Sequence, residues 1–173
     1  FLMIRRPQRS TQSRSSAASD VYKRQDGKSH FYLYRLIMDG RSQTGICATF
    51  SVDDYDNDVI LKHEKTRKVK EDDRTNHIIT TEAQTGVVFL TYRGVKTVND
   101  IVDTTIKSVN PEYDFTAPDG IQHTVWIMPN EYYEIIENEF AKINKLYIAD
   151  GHHRAKSASR AKEEKMKANP HHS

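Results

Sequence analysis

The apolar positions of this chain change their period along its length. Phe31-Tyr32-Leu33-Tyr34-Arg35-Leu36-Ile37-Met38 is dense in aromatic and branched residues, Asp39-Gly40 begins a polar turn, and a second apolar run extends from Gly45 to Val52. Two such runs around an Asp-Gly turn predict a hairpin. The stretch Asp53-Asp54-Tyr55-Asp56-Asn57-Asp58 is acidic. Carboxylates favour the positive end of a helix, so it predicts the entry to a helix that continues through Val59, Ile60 and His63. Charged residues crowd Lys62 to Arg74 and read as a solvated helix face with Glu-Lys pairs a turn apart. Gly86 then breaks the chain before a buried strand over Val87–Arg93. Val98, Ile101, Val102 and Ile106 have helical spacing between Val98 and Val109, and Asn110-Pro111 ends that helix. Tyr113–Phe115 and His123–Met128 predict two strands separated by the turn Ala117-Pro118-Asp119-Gly120. An amphipathic helix over Glu131–Phe140 and a strand at Leu146–Ala149 follow. Hairpins in the first half and alternating helices and strands in the second predict an α+β protein, α/β-like in its latter part, with helices packed on a mixed sheet. No repeat of fixed period appears, which argues against a solenoid.

Composition removes whole classes of function. Lys+Arg 26 against Asp+Glu 24 leaves no overall field to attract nucleic acid or an anionic membrane. The longest apolar runs, such as Val87-Val88-Phe89-Leu90, fall far short of the ~20 residues that cross a bilayer. No apolar stretch with a cleavage site opens the chain. A cytoplasmic protein is therefore expected, with neither membrane nor nucleic acid as partner. Cys47 stands alone inside an apolar run. That excludes an internal disulfide and a thiol-based zinc site, and predicts a buried, inert thiol.

The two ends read differently from the middle. Residues 1–25 are rich in Arg, Ser and Gln and show no period; Ser16–Gln25 resembles the translation of a transposon adapter used in DNA library preparation. A natural basic arm is the alternative reading of the same composition. Residues 26–173 read as one partial α/β domain. At the far end a helix rich in Ala, Lys and Glu runs on to Asn169-Pro170-His171-His172-Ser173 without returning to the core, so a fragment of a larger protein is expected.

Chemistry concentrates where the Leu146 strand meets the next helix, in Asp150-Gly151-His152-His153-Arg154. Gly permits a sharp turn and the close approach of a ligand, and the first amides of a helix lack internal partners and carry partial positive charge. Such a turn is an anion site before any side chain is counted. Arg154 adds a planar fork that matches phosphate oxygens, and His152 and His153 can donate hydrogen bonds or carry a proton near neutral pH. Asp150 can hold magnesium or accept a proton from a hydroxyl. The competing reading is an ordinary helix start with a capping Asp and solvated basic residues. A metal hydrolase using His152, His153 and Asp150 is less consistent, because adjacent His residues do not share one helix face. The Asp spacing in residues 53–58 lacks the Gly and terminal Glu of a calcium loop.

Phe31–Arg35, Val52–Tyr55, His63-Glu64-Lys65-Thr66-Arg67, Gly86 with Phe89–Arg93, and Leu146–Arg154 resemble the domain-of-unknown-function family ten-fifteen over nearly everything after Gly27. The Asp-Gly-His-His-Arg segment is also similar to the phosphate-binding turn of the ParB-like and sulfiredoxin superfamily, which includes nucleotide-dependent kinases of free serine. That resemblance implies a nucleotide-dependent phosphotransferase acting on a small hydroxylated metabolite, with Mg2+ and ATP or ADP as cofactors. Gly151, His152, His153 and Arg154 would then bind phosphate, Asp150 would assist metal or hydroxyl, and His153 would join the catalytic set. Glu64 is the candidate for the acid that activates the hydroxyl; it also fits a surface residue in a charged helix. Lys65, Arg67 and Arg74 could neutralise phosphate charge. The alternative implied by the same resemblance is a nucleotide-binding switch without kinase activity. The fragment itself is expected to be inactive.

Overall fold

The computed structural model describes residues 27–169, so the expectation for residues 1–25 lies outside it. Strands β1 (Tyr32–Met38) and β2 (Arg41–Cys47) form an antiparallel hairpin with Met38 opposite Arg41. Asp39 and Gly40 turn the chain with φ of 50° and 76°. Positive φ at both central residues is the type I′ combination, whose twist matches the strands it joins. The second strand begins and ends earlier than the apolar run from Gly45 to Val52 suggests, because the two-residue turn fixes the register and draws Arg41–Thr44 into pairing with β1.

Helix α1 (Val52–Asp56) starts on Ser51, whose hydroxyl accepts from the Asp53 amide at 3.1 Å. It does not continue through Val59–His63 as expected. Asp58 takes a left-handed φ of 56°, and the amides of Asp58 and Val59 return to the carbonyls of Tyr55 and Asp54. This is a Schellman closure with Asp in place of the usual Gly. The chain then leaves as strand β3 (Ile60–Leu61). Next come α2 (Lys68–Thr81), β4 (Phe89–Thr91), α3 (Lys96–Ser108), β5 (Tyr113–Thr116) and β6 (Gln122–Ile127). A 3₁₀ turn at Asn130–Tyr132 leads into α4 (Tyr133–Ala141), followed by β7 (Leu146–Asp150) and α5 (His152–Ala168).

The strands divide between two sheets, within the α+β class. The first, ordered β2-β1-β6-β5, is antiparallel throughout. The second is mixed: β7 lies between β3, to which it is parallel, and β4, to which it is antiparallel. Each sheet has its own core. Leu33 and Trp126 of the first pack with Val98 and Ile101 of α3, Met128, and Ile136 of α4. Val98, Ile101 and Thr105 are the buried positions of α3, spaced at the three-to-four-residue interval of one helix face. Ile60, Leu90, Leu146 and Ile148 of the second sheet pack with Tyr55, Val88 and Ala155. Phe140 touches both clusters and joins them.

Helix α5 lies against α1 and α2 on a face of small residues, with Ala155, Ser157, Ala158, Ser159 and Ala161 all buried. Small side chains let the backbones approach closely and leave polar groups to be matched one by one. Ser159 Oγ donates to Asp56 Oδ1 at 2.7 Å, and Ser157 Oγ donates to the His153 carbonyl at 2.7 Å. Arg160 meets Glu71 at 3.2 Å and Asp72 at 2.5 Å, and Lys162 pairs with Asp53. No described helix is long and apolar enough to cross a membrane. Cys47 is buried at the end of β2, and that burial pushes its thiol up to about 11.

Candidate active site

Leu146 and Ile148 bury one face of β7, and the strand delivers Asp150 to the start of α5. Gly151 makes the corner with φ of 96°, a left-handed conformation that favours glycine. The first backbone bond of the helix runs from the Ala155 amide to the Gly151 carbonyl at 2.9 Å, and no side chain caps the end. The amides of residues 152–154 therefore precede the helical ladder, where the positive end of the helix dipole lies.

The five residues of the turn diverge. Arg154 folds back over the corner, and its guanidinium pairs with the Asp150 carboxylate. Its stem passes so close that a Cβ at Gly86 would lie 2.7 Å from Arg154 Cδ, and one at Gly151 would lie 2.8 Å from Nε. Two glycines, one on each side, thus make the bed for this side chain. His153 turns the other way: its Nε2 accepts a hydrogen bond from the Arg67 amide at 3.0 Å. An accepting Nε2 places the proton of the neutral ring on Nδ1. His153 thereby ties the loop between β3 and α2 to the first turn of α5.

His152 points into the protein and is only 4% exposed. Its Nδ1 stands 3.4 Å from Glu64 Oε2, and its ring meets that of His63 edge-on with centroids 4.4 Å apart. Nε2 is buried with no hydrogen-bond partner among the described residues. Burial pushes the imidazole below its ordinary pKa, opposed by the neighbouring Glu64 carboxylate. The ring is accordingly neutral at pH 7.

An open cavity of about 520 Å3 lies beside this cluster. Lys62, Lys65 and Thr66 of the β3–α2 loop line it with Glu64, and α5 contributes His152 and Lys156. Tyr55 and Asp56 complete the wall. Lys62 is tethered at 2.8 Å to Asp58 and lies over the Tyr55 ring at 4.3 Å. The Tyr55 hydroxyl is pushed up to about 12, by burial and then by Asp56, Glu71 and Asp58, so it stays protonated. Three ammonium groups thus line the cavity against two carboxylates, Asp56 and Glu64, an excess of positive charge that favours an anion.

The structure brings Glu64, remote in sequence, to His152 and the start of α5. It sets Asp150 and Arg154 against each other on the outer side of the corner, outside the residues that line the cavity. Arg67 joins the site through its backbone amide. Sequence reasoning gave no site role to Lys62, Lys156 or His63. Lys156 could have been found one helical turn after His152, since positions four apart share a face. Lys62 and His63 were hidden by the expected helix; in the structure that helix ends at Asp56, and both residues follow β3 in a loop.

An α+β protein with a basic cavity at the start of a helix is what the fold and site define. The chain matches the family model DUF1015, protein of unknown function, over residues 10–173 and belongs to that family. The match begins at residue 10, ahead of Ser16–Gln25, and so runs through the stretch that resembles adapter sequence. Comparison with curated proteins and with solved structures returned no match.

Proposed function

We propose that this chain belongs to a nucleotide-dependent phosphotransferase that moves a phosphoryl group to a small hydroxylated metabolite, free serine in particular. The observation that carries the reading is the cavity at the start of α5, where Lys62, Lys65 and Lys156 surround Glu64 and His152. Phosphoryl transfer is mostly positioning and charge stabilisation. Lysines and uncapped helix amides supply positive charge for donor phosphates, and an exposed carboxylate among them can take the proton of an acceptor hydroxyl. Glu64 fits that role because its side chain is 60% exposed and lines the cavity. Arg154, held on Asp150, reaches phosphate by exchanging one anionic partner for another. His153 steadies the loop that carries Glu64, Lys65 and Thr66.

Mg2+ fits the donor set, since a hard cation takes one or two carboxylates together with phosphate oxygens and waters. Asp150, with a side chain 71% exposed, is the carboxylate that would hold it. When bound it neutralises charge on the phosphates. The protein would act in the cytoplasm on small molecules.

Nucleotide binding is to be measured on this chain by calorimetry, and nucleotide consumption with serine on a longer member of the family. Lys65→Ala and Lys156→Ala are expected to weaken nucleotide binding, whereas the matching Glu64→Gln change in the longer protein stops turnover and leaves binding intact. Absence of turnover with every hydroxy amino acid and nucleotide tried would overturn the proposal. Nucleotide binding without turnover would favour a ParB-like switch.

A further inference from the structure

We propose that His63, Glu64 and His152 form a binding site for a divalent transition-metal ion of the zinc type; it shares Glu64 and His152 with the cavity of the phosphotransferase reading, and Glu64 bound to the ion would not serve as that reading's base. Each residue offers one ligand atom, and these atoms all lie within 4.8 Å of one another. The Glu64 Oε2 to His152 Nδ1 separation of 3.4 Å is the decisive one. Two ligands at the corners of a tetrahedron with metal bonds of about 2.0–2.1 Å stand roughly 3.4 Å apart. The protein thus already holds a carboxylate and an imidazole at the spacing a shared ion requires.

The burial of His152 fixes its ring in place. The atom that would take the ion is Nδ1, which faces Glu64; Nε2 lies on the far side of the ring, has no hydrogen-bond partner among the described residues and stays outside the coordination.

The ligand types select the ion. Two imidazoles and one carboxylate suit Zn2+ and its first-row neighbours, whereas Mg2+ and Ca2+ prefer oxygen. Three protein ligands leave a fourth position open, the pattern of reactive rather than structural zinc. Glu64 and His152 line the cavity that Lys62, Lys65 and Lys156 also line, so the fourth ligand would be an anionic oxygen. Adjacent His residues cannot share an ion from one helix face, and this site does not ask them to. It takes His152 from α5 and finds its partners on the β3–α2 loop.

The test is a Co2+ titration of the 173-residue chain after chelation and dialysis, read by visible absorption, with Zn2+ as competitor. One equivalent of Co2+ should bind with the intense bands of a four-coordinate site, and Zn2+ should displace it. His63→Ala and Glu64→Gln each remove a direct ligand. They should weaken binding by no less than the roughly 10–100-fold lost with an outer-shell partner. His63 and Glu64 are both exposed, so these variants should fold, which metal-free thermal melts will verify. A variant with both His171 and His172 changed to Ala controls for binding at the chain end and should bind as the parent does. The proposal is overturned if the parent binds no ion, if the two ligand variants bind as tightly as the parent, or if binding disappears with His171 and His172. Nucleotide and acceptor are absent from this titration, so its outcome is separate from that of turnover.

Discussion

Replacing Gly151 with Ala tests whether the corner before α5 requires glycine for two distinct reasons. Its φ of 96° lies where an L-residue is strained, and its missing Cβ leaves room for Arg154 Nε, which would otherwise stand 2.8 Å away. Backbone strain of this kind costs about 1–2 kcal/mol. Arg154 must also move off Asp150, whose side chain is 71% exposed, so the pair is discounted to at most about 1 kcal/mol. The sum is roughly 1–3 kcal/mol. For a chain of this size that lowers the melting temperature by about 2–12 °C. Gly86→Ala separates the two contributions. A Cβ there meets Arg154 Cδ at 2.7 Å, but Gly86 is not among the positive-φ residues, so only the Arg154 displacement remains. Thermal unfolding followed by circular dichroism should rank the parent above Gly86→Ala and Gly86→Ala above Gly151→Ala. Adding Arg154→Ala should relieve most of the Gly86→Ala cost and leave the strain at Gly151. A Gly151→Ala protein within about 0.5 kcal/mol of the parent, the range of an ordinary surface change, would refute the reasoning.

Three further outcomes follow from single contacts. Ser159→Ala removes the donor to Asp56 in a fully buried position and should cost about 1–2 kcal/mol in chemical denaturation. Cys47, with its thiol pushed up to about 11, should react slowly with a disulfide reagent at pH 8 in the folded protein and quickly once unfolded. His152 has a folded pKa below its ordinary value of 6.5, so the unfolded chain binds its proton first as pH falls. Its contribution to stability is present above pH 6.5 and is lost as pH drops through the lowered folded value. His152→Gln should flatten that part of the stability profile, measured in chelator.

Much of the architecture was already legible in local pattern. The aromatic run Tyr32–Met38, the Asp39-Gly40 turn, the spacing of Val98 and Ile101, and the small residues of α5 each specify their own element through side-chain period and turn chemistry. The anion-binding character expected at the start of α5 also rests on local chemistry: a glycine corner, unpaired amides and nearby basic residues. Tertiary structure decided the rest. Ile60–Leu61 is too short to declare itself and becomes a strand by pairing with Leu146 and Tyr147, which redirects the chain and turns His63 and Glu64 toward His152. The same long-range packing points His152 inward, ties His153 to Arg67 and lays Arg154 over two glycines. Adjacent residues in one motif were thus given three different surroundings, because successive positions on a helix face different neighbours and only the fold supplies those neighbours.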